Sequence, residues 1–276
     1  MNSKRENKFI YLLNNEVSRS MKLFISFLIL FLVGHVGLFV RRIFQVNTIL
    51  TEHITKGGTL QSYIAENGKY SFKIILDSVA SQILMIICFG ILVIFLYAII
   101  IWLREWFGNN KTVYTLMSLP VSRHSIVLSK FTAILIMGST FISTHILALF
   151  IDNLFVKTLL SSEVVEKVDV IKSFFTSRIC EIFPNNLLMF MFMFSIIICA
   201  ILIIFNCVML ERSFRWKGIV LGLINVGVTM FLYAKVPLIA NLFVKETVLY
   251  YSLLSIVLII LNYYSTYYLL ENKAHV

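Results

Sequence analysis

The chain is 276 residues long, 59% hydrophobic and only 14% charged, with a formal net charge of +10. A soluble domain carries about 25% charged residues. Here the apolar residues come in blocks long enough to cross a bilayer, about 20 residues rising 1.5 Å each, and the alternating segments of about 10 residues that build a membrane β-barrel are missing. The basic residues flank the apolar blocks, so they read as topology signals and headgroup contacts, and nucleic acid is not expected as a partner.

Residues 1–8, MNSKRENK, make a short basic start. Phe9, Leu12, Leu13 and Val17 then share one helical face against Asn7, Asn14, Asn15 and Arg19. That pattern predicts an N-terminal interfacial helix over 7–20. The first span is expected at about 22–40. A cleaved signal peptide would end in small residues, whereas Arg41 and Arg42 follow. A mixed polar segment, 43–77, is broken at Gly57-Gly58 and Asn67-Gly68, both turn-forming pairs. Span two is expected at about 79–102 and span three at about 126–151. A second long polar segment covers 152–185, where Val156, Leu159, Leu160, Val164 and Ile171 suggest a helix lying on the outer membrane surface. Span four falls at about 187–210, span five at about 218–234 after the tight ERSFRWK connection, and span six at about 248–270 after a half-apolar link, 235–247. The expectation is an all-α polytopic membrane protein with six transmembrane helices, forming a single domain over 1–276.

An even number of spans puts both termini on one side. With the termini cytoplasmic, Arg104, Lys111, Arg123, Lys130, Arg212, Arg215 and Lys217 gather on the inner side, as the positive-inside rule asks. Trp102, Trp106 and Trp216 fall at that same expected interface. The chain reads as a multi-pass protein of the cell membrane.

Polar residues noticed inside the spans are His35, His145, Asn206, Asn225 and Asn262. No acid or base relay of the kind that serves coupled transporters is read mid-span, and each histidine is expected to hydrogen-bond a neighbouring helix. The sequence has no HExxH, no GxSxG and no P-loop. Cys88, Cys180, Cys199 and Cys207 show no CxxC spacing, so neither a redox pair nor a metal knuckle is suggested. No catalytic residue, metal site or cofactor is expected in this chain. Gly34 and Gly37 in span one, and Gly218 and Gly222 at the start of span five, mark close helix packing, either between subunits or within the chain.

The segment between spans two and three is the most specific. Residues 104–130 read REWFGNNKTVYTLMSLPVSRHSIVLSK. Val113, Leu116, Met117 and Pro120 fall at i, i+3, i+4 and i+7, one face of a short helix. Pro120 removes a backbone donor and ends that helix, Ser122 is placed to cap span three, and Arg123 and Lys130 can sit at the headgroups or pair with Glu105.

This stretch resembles the first cytoplasmic loop of ABC-2 type permeases, the membrane subunits of ABC exporters. In that family an acidic residue ends span two. A Gly and a Thr follow, then a leucine-rich segment closing in Leu-Pro-(Val/Ile)-Ser-Arg, then a Lys early in span three. The matching residues are Glu105, Gly108, Thr112, Leu116, the run from Ser118 through Leu119, Pro120, Val121 and Ser122 to Arg123, and Lys130. The resemblance implies that the short segment is a cytoplasmic coupling helix. Glu105, Gly108, Thr112, Val113, Leu116, Met117, Leu119, Pro120, Ser122 and Arg123 would then meet a separate ATPase subunit.

Two such ATPase subunits would bind ATP and Mg, and a second permease chain, identical or related, would complete the pathway. The resemblance also implies that 7–20 is a connecting helix and 235–247 a re-entrant hairpin. The cargo it suggests is amphipathic or hydrophobic, a peptide first, then a drug or a lipid. The alternative is a non-transporting scaffold or sensor that binds partners through 43–77 and 152–185.

Overall fold

The structure, a computed structural model, describes residues 2–107, 116, 118, 120–166, 169–181, 187–240 and 243–273. It is all-α: among the described residues there is no strand, only an isolated bridge between Tyr70 and Val165. Six helices are long and apolar enough to cross a membrane. They are carried by α1 (Asn2–Thr55), α4 (Ala80–Trp106), α5 (Arg123–Leu159), α7 (Leu187–Phe214), α8 (Trp216–Ala234) and α10 (Val244–Asn272). Their surfaces bear large apolar side chains: Leu23 is 79% exposed, Met85 73%, Leu223 67% and Met230 67%. Water would not tolerate so much continuous apolar surface; lipid does.

The helix α1 is unbroken for 54 residues, a path of about 80 Å against about 30 Å of hydrocarbon. The boundary expected between an interfacial helix and span one is therefore not there. Nothing in the sequence before Gly34 supplies a glycine or proline to break it. It ends where Gly57 adopts φ 91° and where Gly58, lacking a side chain, leaves room for the His53 ring.

The chain gathers into two compact units. Unit 1 takes 1–21, 93–137 and 186–276; unit 2 takes 22–92 and 138–185. Thus α1, α4 and α5 each contribute residues to both.

In unit 2 the two long polar segments fold onto each other. After Gly57-Gly58, Thr59 caps α2 (Leu60–Asn67) by accepting from the Ser62 amide, and Ser71 caps α3 (Phe72–Ser78). Asp169 caps α6 (Val170–Phe175), and a 3₁₀ turn follows at Arg178–Glu181. The Tyr70 amide donates to the Val164 carbonyl at 2.9 Å, and the Glu166 amide to the Tyr70 carbonyl at 3.0 Å. The Arg178 amide donates to Asp77 Oδ1 at 2.8 Å, and Asn47 Nδ2 to the Leu159 carbonyl at 3.1 Å. Phe72, Ile75, Leu76 and Ile179 are buried here together with Val156, Leu160 and Val164. Val156, Leu160 and Val164 thus build a core against 43–77 instead of a helix face resting on the membrane, Leu159 is half-buried, and Ile171 alone of the five is exposed. Span three also runs past its expected end at 151, to Leu159.

In unit 1, α7 packs along both α8 and α10. The α7–α8 turn is tight: Arg215 takes φ 52°, and a Cβ on Gly218 would overlap the Leu210 carbonyl. Gly222 lies against Cys207 and Gly34 faces Ile86, so all three face atoms of the chain itself. Gly37 has nothing nearby. The link after α8 holds one helical turn, α9 (Val236–Ile239), with Leu238, Ile239 and Phe243 exposed; among the described residues it shows no helical hairpin.

Gly218→Ala is expected to destabilise the folded chain by about 1–3 kcal/mol, the cost of overpacking. Gly37→Ala is expected to be neutral or slightly stabilising, since Ala favours helix over Gly by up to about 1 kcal/mol. Thermal unfolding midpoints of the two variants in one detergent check the contrast.

Candidate functional site

Lys130 is the most informative residue of unit 1. It stands two turns into α5 and is fully buried. An ammonium out of water must find anions or return a large penalty. Its Nζ lies 2.6 Å from Glu16 Oε1, 3.0 Å from Glu105 Oε1 and 3.1 Å from the Ile101 carbonyl. It also stands 5.2 Å from the centre of the Trp102 ring, a cation–π distance.

Two arginines extend the cluster. Arg104 Nη2 pairs with Glu16 Oε2, and Arg104 Nη1 donates to the Tyr97 hydroxyl at 3.2 Å. Arg19 Nη1 reaches Glu105 Oε1 at 3.2 Å. Three cations thus meet two carboxylates, both nearly sealed from solvent, and the hub ties α1 to α4 and α5.

The surrounding core explains why the hub stays dry. Leu12, Ala98, Ile101, Trp102, Ile126 and Phe205 pack together around it. Trp102, expected at the headgroup interface, is instead fully buried, edge-on to Phe205 at 5.4 Å. Trp216 does sit outside, 76% exposed. Glu16 escaped the sequence reading. Its signal was spacing: Leu12, Glu16 and Ser20 recur every four residues, and all three are buried.

Other expected site residues distribute around this hub. Glu105 is at its centre. Leu116, which the resemblance would set against an ATPase subunit, packs into the chain's own core. Pro120 is exposed, and its carbonyl accepts from Lys8 Nζ at 2.9 Å, which fastens the end of the loop to α1. Ser122 caps the start of α5: its Oγ accepts from the Ser125 amide at 3.4 Å and lies 2.8 Å from Ser125 Oγ. Arg123 opens α5 half-buried and does not pair with Glu105. Gly108, Thr112, Val113, Met117 and Leu119 lie outside the described residues.

The asparagines of the spans converge. Asn262 Oδ1 on α10 accepts from Asn206 Nδ2 on α7 at 2.9 Å and from Asn225 Nδ2 on α8 at 2.8 Å. Ser265 Oγ donates to Asn206 Oδ1 at 3.0 Å. One carbonyl oxygen therefore clamps three helices, which is how polar side chains act in lipid.

Unit 2 holds a second buried polar group. His35 on α1 and Asp152 on α5 are fully buried, with Nδ1 3.2 Å from Oδ2. This is ion-pair distance without hydrogen-bond geometry. His145, one α5 face with Asp152, puts its ring centre 5.1 Å from that of His35. Phe31, Phe141 and Phe174 close the group. The span expected over 126–151 stops before Asp152; the helix runs on to Leu159 and buries Asp152 against His35. No group of His, Cys, Asp or Glu suited to a metal occurs among the described residues.

The four cysteines are unpaired. Compared with family models, curated proteins and solved structures, the chain finds no match. What stands established is a helical chain with six helices able to span a membrane.

Lys130→Met is expected to cost up to about 3 kcal/mol, the low end for breaking a buried ion pair, because Arg19 and Arg104 still face the two carboxylates. Glu16→Gln combined with Lys130→Met should cost at least about 0.5 kcal/mol less than the sum of the single changes, read by chemical denaturation of the purified chain. Asn262→Ala should cost about 1–2 kcal/mol, within the range for interhelical hydrogen bonds in membranes, read by the same titration.

Proposed function

We propose that the chain is the permease subunit of an ATP-driven ABC exporter of the ABC-2 type. It couples ATP binding and hydrolysis on separate ATPase subunits to movement of an amphipathic or hydrophobic cargo, a peptide first. The observation that carries this reading is the hub of Glu16, Glu105 and Lys130. It locks the last turn of α4 and the first turns of α5, the two flanks of the loop that bears the family-like motif. Lys8 adds a tie from α1 to the loop's end at Pro120. A push on that loop would therefore reach three spanning helices together and would not be absorbed locally. The ATPase subunits supply the nucleotide chemistry, and the chain carries no ATP site of its own. The spans respond only as far as ATP favours one arrangement over the other.

Contact with the ATPase is assigned to the exposed part of the loop, since Leu116 is occupied inside. Ser118 and Pro120 are exposed and mark that surface. A second reading, a scaffold or sensor, draws on the folded layer made by the two long segments of unit 2, which exposes Ile171 and Phe175.

Co-purification in mild detergent with a Walker-motif ATPase from the same cells distinguishes the two. Wild type is expected to bring down ATP-hydrolysing activity, and Ser118→Arg with Pro120→Arg to lose it while keeping helical content and unfolding midpoint. If wild type carries no ATPase, or the double variant keeps it, the permease reading is wrong.

A further inference from the structure

An open groove of about 550 Å³ lies between α4, α7 and α8 in unit 1, a volume typical of small-molecule sites. Ile99 and Leu103 form one wall, Ile204 and Val208 another, and Ile219 and Val226 the third. Part of the space exists because residue 222 has no side chain: a Cβ on Gly222 would stand 3.4 Å from Cys207 Sγ, and both residues line the groove.

One end is different. Phe107, Glu211 and Arg212 line it. The Arg212 guanidinium carbon lies 4.5 Å above the Phe107 ring and 5.7 Å from that of Trp106. Its Nε is 2.8 Å from Glu211 Oε2, while its terminal nitrogens form no ion pair among the described residues. Arg215 and Lys217 follow on the exposed α7–α8 turn. Arg212 thus lines this end beside Glu211, and the two further cations lie on the exposed turn just beyond the groove.

We propose that this groove binds one anionic phospholipid, with an acyl chain along its apolar walls and the phosphate at Arg212, drawn there by the basic turn of Arg215 and Lys217 beyond it. The polarity runs in the order of the lipid itself, and basic clusters at the end of an interhelical crevice attract anionic headgroups. Charge argues against a second copy of this chain in the groove, because a two-fold contact sets each patch against itself, and these cations would face their own copies. Trp106 and the exposed Trp216 mark this end as headgroup depth. This inference does not rest on the exporter reading.

The test uses the full chain in mild detergent, offered equal amounts of phosphatidylglycerol and phosphatidylcholine with the same acyl chains, and native mass spectrometry. One phosphatidylglycerol is expected on wild type, in several-fold preference to phosphatidylcholine. Arg215→Gln with Lys217→Gln should erase the preference and leave retention intact. Gly222→Leu should remove retention of both lipids.

A second measurement keeps the proposal open to refutation if Gly222→Leu folds poorly. In a Cys88→Ser chain, phosphatidylglycerol in phosphatidylcholine vesicles should slow alkylation of Cys207 by N-ethylmaleimide relative to phosphatidylcholine alone; Cys180 and Cys199 are buried. Equal retention of the two lipids by wild type, equal alkylation in the two vesicle types, or a dimer that holds no lipid would each overturn the proposal.

Discussion

The junction of α1, α4 and α5 in unit 1 is arranged around one ammonium group that water cannot reach. Lys130 enters α5 where the span begins, and a lone buried charge there would cost several kcal/mol. Glu16 and Glu105 remove that cost, but only if α1 and the end of α4 come within hydrogen-bond distance of the same point. That demand explains several features together. The α1 helix continues without a break through its polar start, Trp102 turns inward over Lys130, and Leu116 folds back onto the core. A residue that looks like a headgroup anchor in sequence becomes the centre of a three-helix junction.

Polar side chains play the same part elsewhere. Between apolar helices in lipid there is no hydrophobic drive to association, so packing and a few hydrogen bonds decide which helix meets which. Asn262 settles α10 against α7 and α8, and glycines let the backbones approach at Gly218 and Gly222. In unit 2, Asp152 meets His35 among three phenylalanine rings, and Gly90 gives Phe141 the room to lie there, since a Cβ would overlap its ring. The short helices beyond them start on Thr59, Ser71 and Asp169 caps, each an ordinary helix-start signal.

The same logic bears on function. On the proposed exporter reading, a loop tethered at both flanks to one charged junction would transmit displacement, whereas a loop on flexible stalks would dissipate it. The groove beside α4, α7 and α8 shows the complementary principle: where a small residue leaves a gap facing lipid, the solvent itself becomes a candidate ligand, and its headgroup charge selects among lipid types.

Much was legible in the sequence. Block hydropathy alone set the membrane class, the all-α fold and six spans close to their observed positions, because lipid leaves a helix no alternative way to satisfy its backbone. The spacing around Pro120 and Ser122 foretold the cap of α5, and Lys130 was seen as a possible partner for Glu105. Other features depended on tertiary contacts. Span three is expected to end at about 151, yet the helix continues past Asp152, which meets His35 more than a hundred residues away. Val156, Leu160 and Val164 looked like a membrane-facing stripe, since periodicity shows that a face is apolar but not what it meets; their partner is the other polar segment. Glu16 carries no local signal of its role, because its partners Lys130 and Arg104 lie about a hundred residues away. The sequence by itself determined which residues are apolar and where the helices run; only the tertiary structure decided which charges are buried, because burial of a charge depends on a partner that local sequence does not contain.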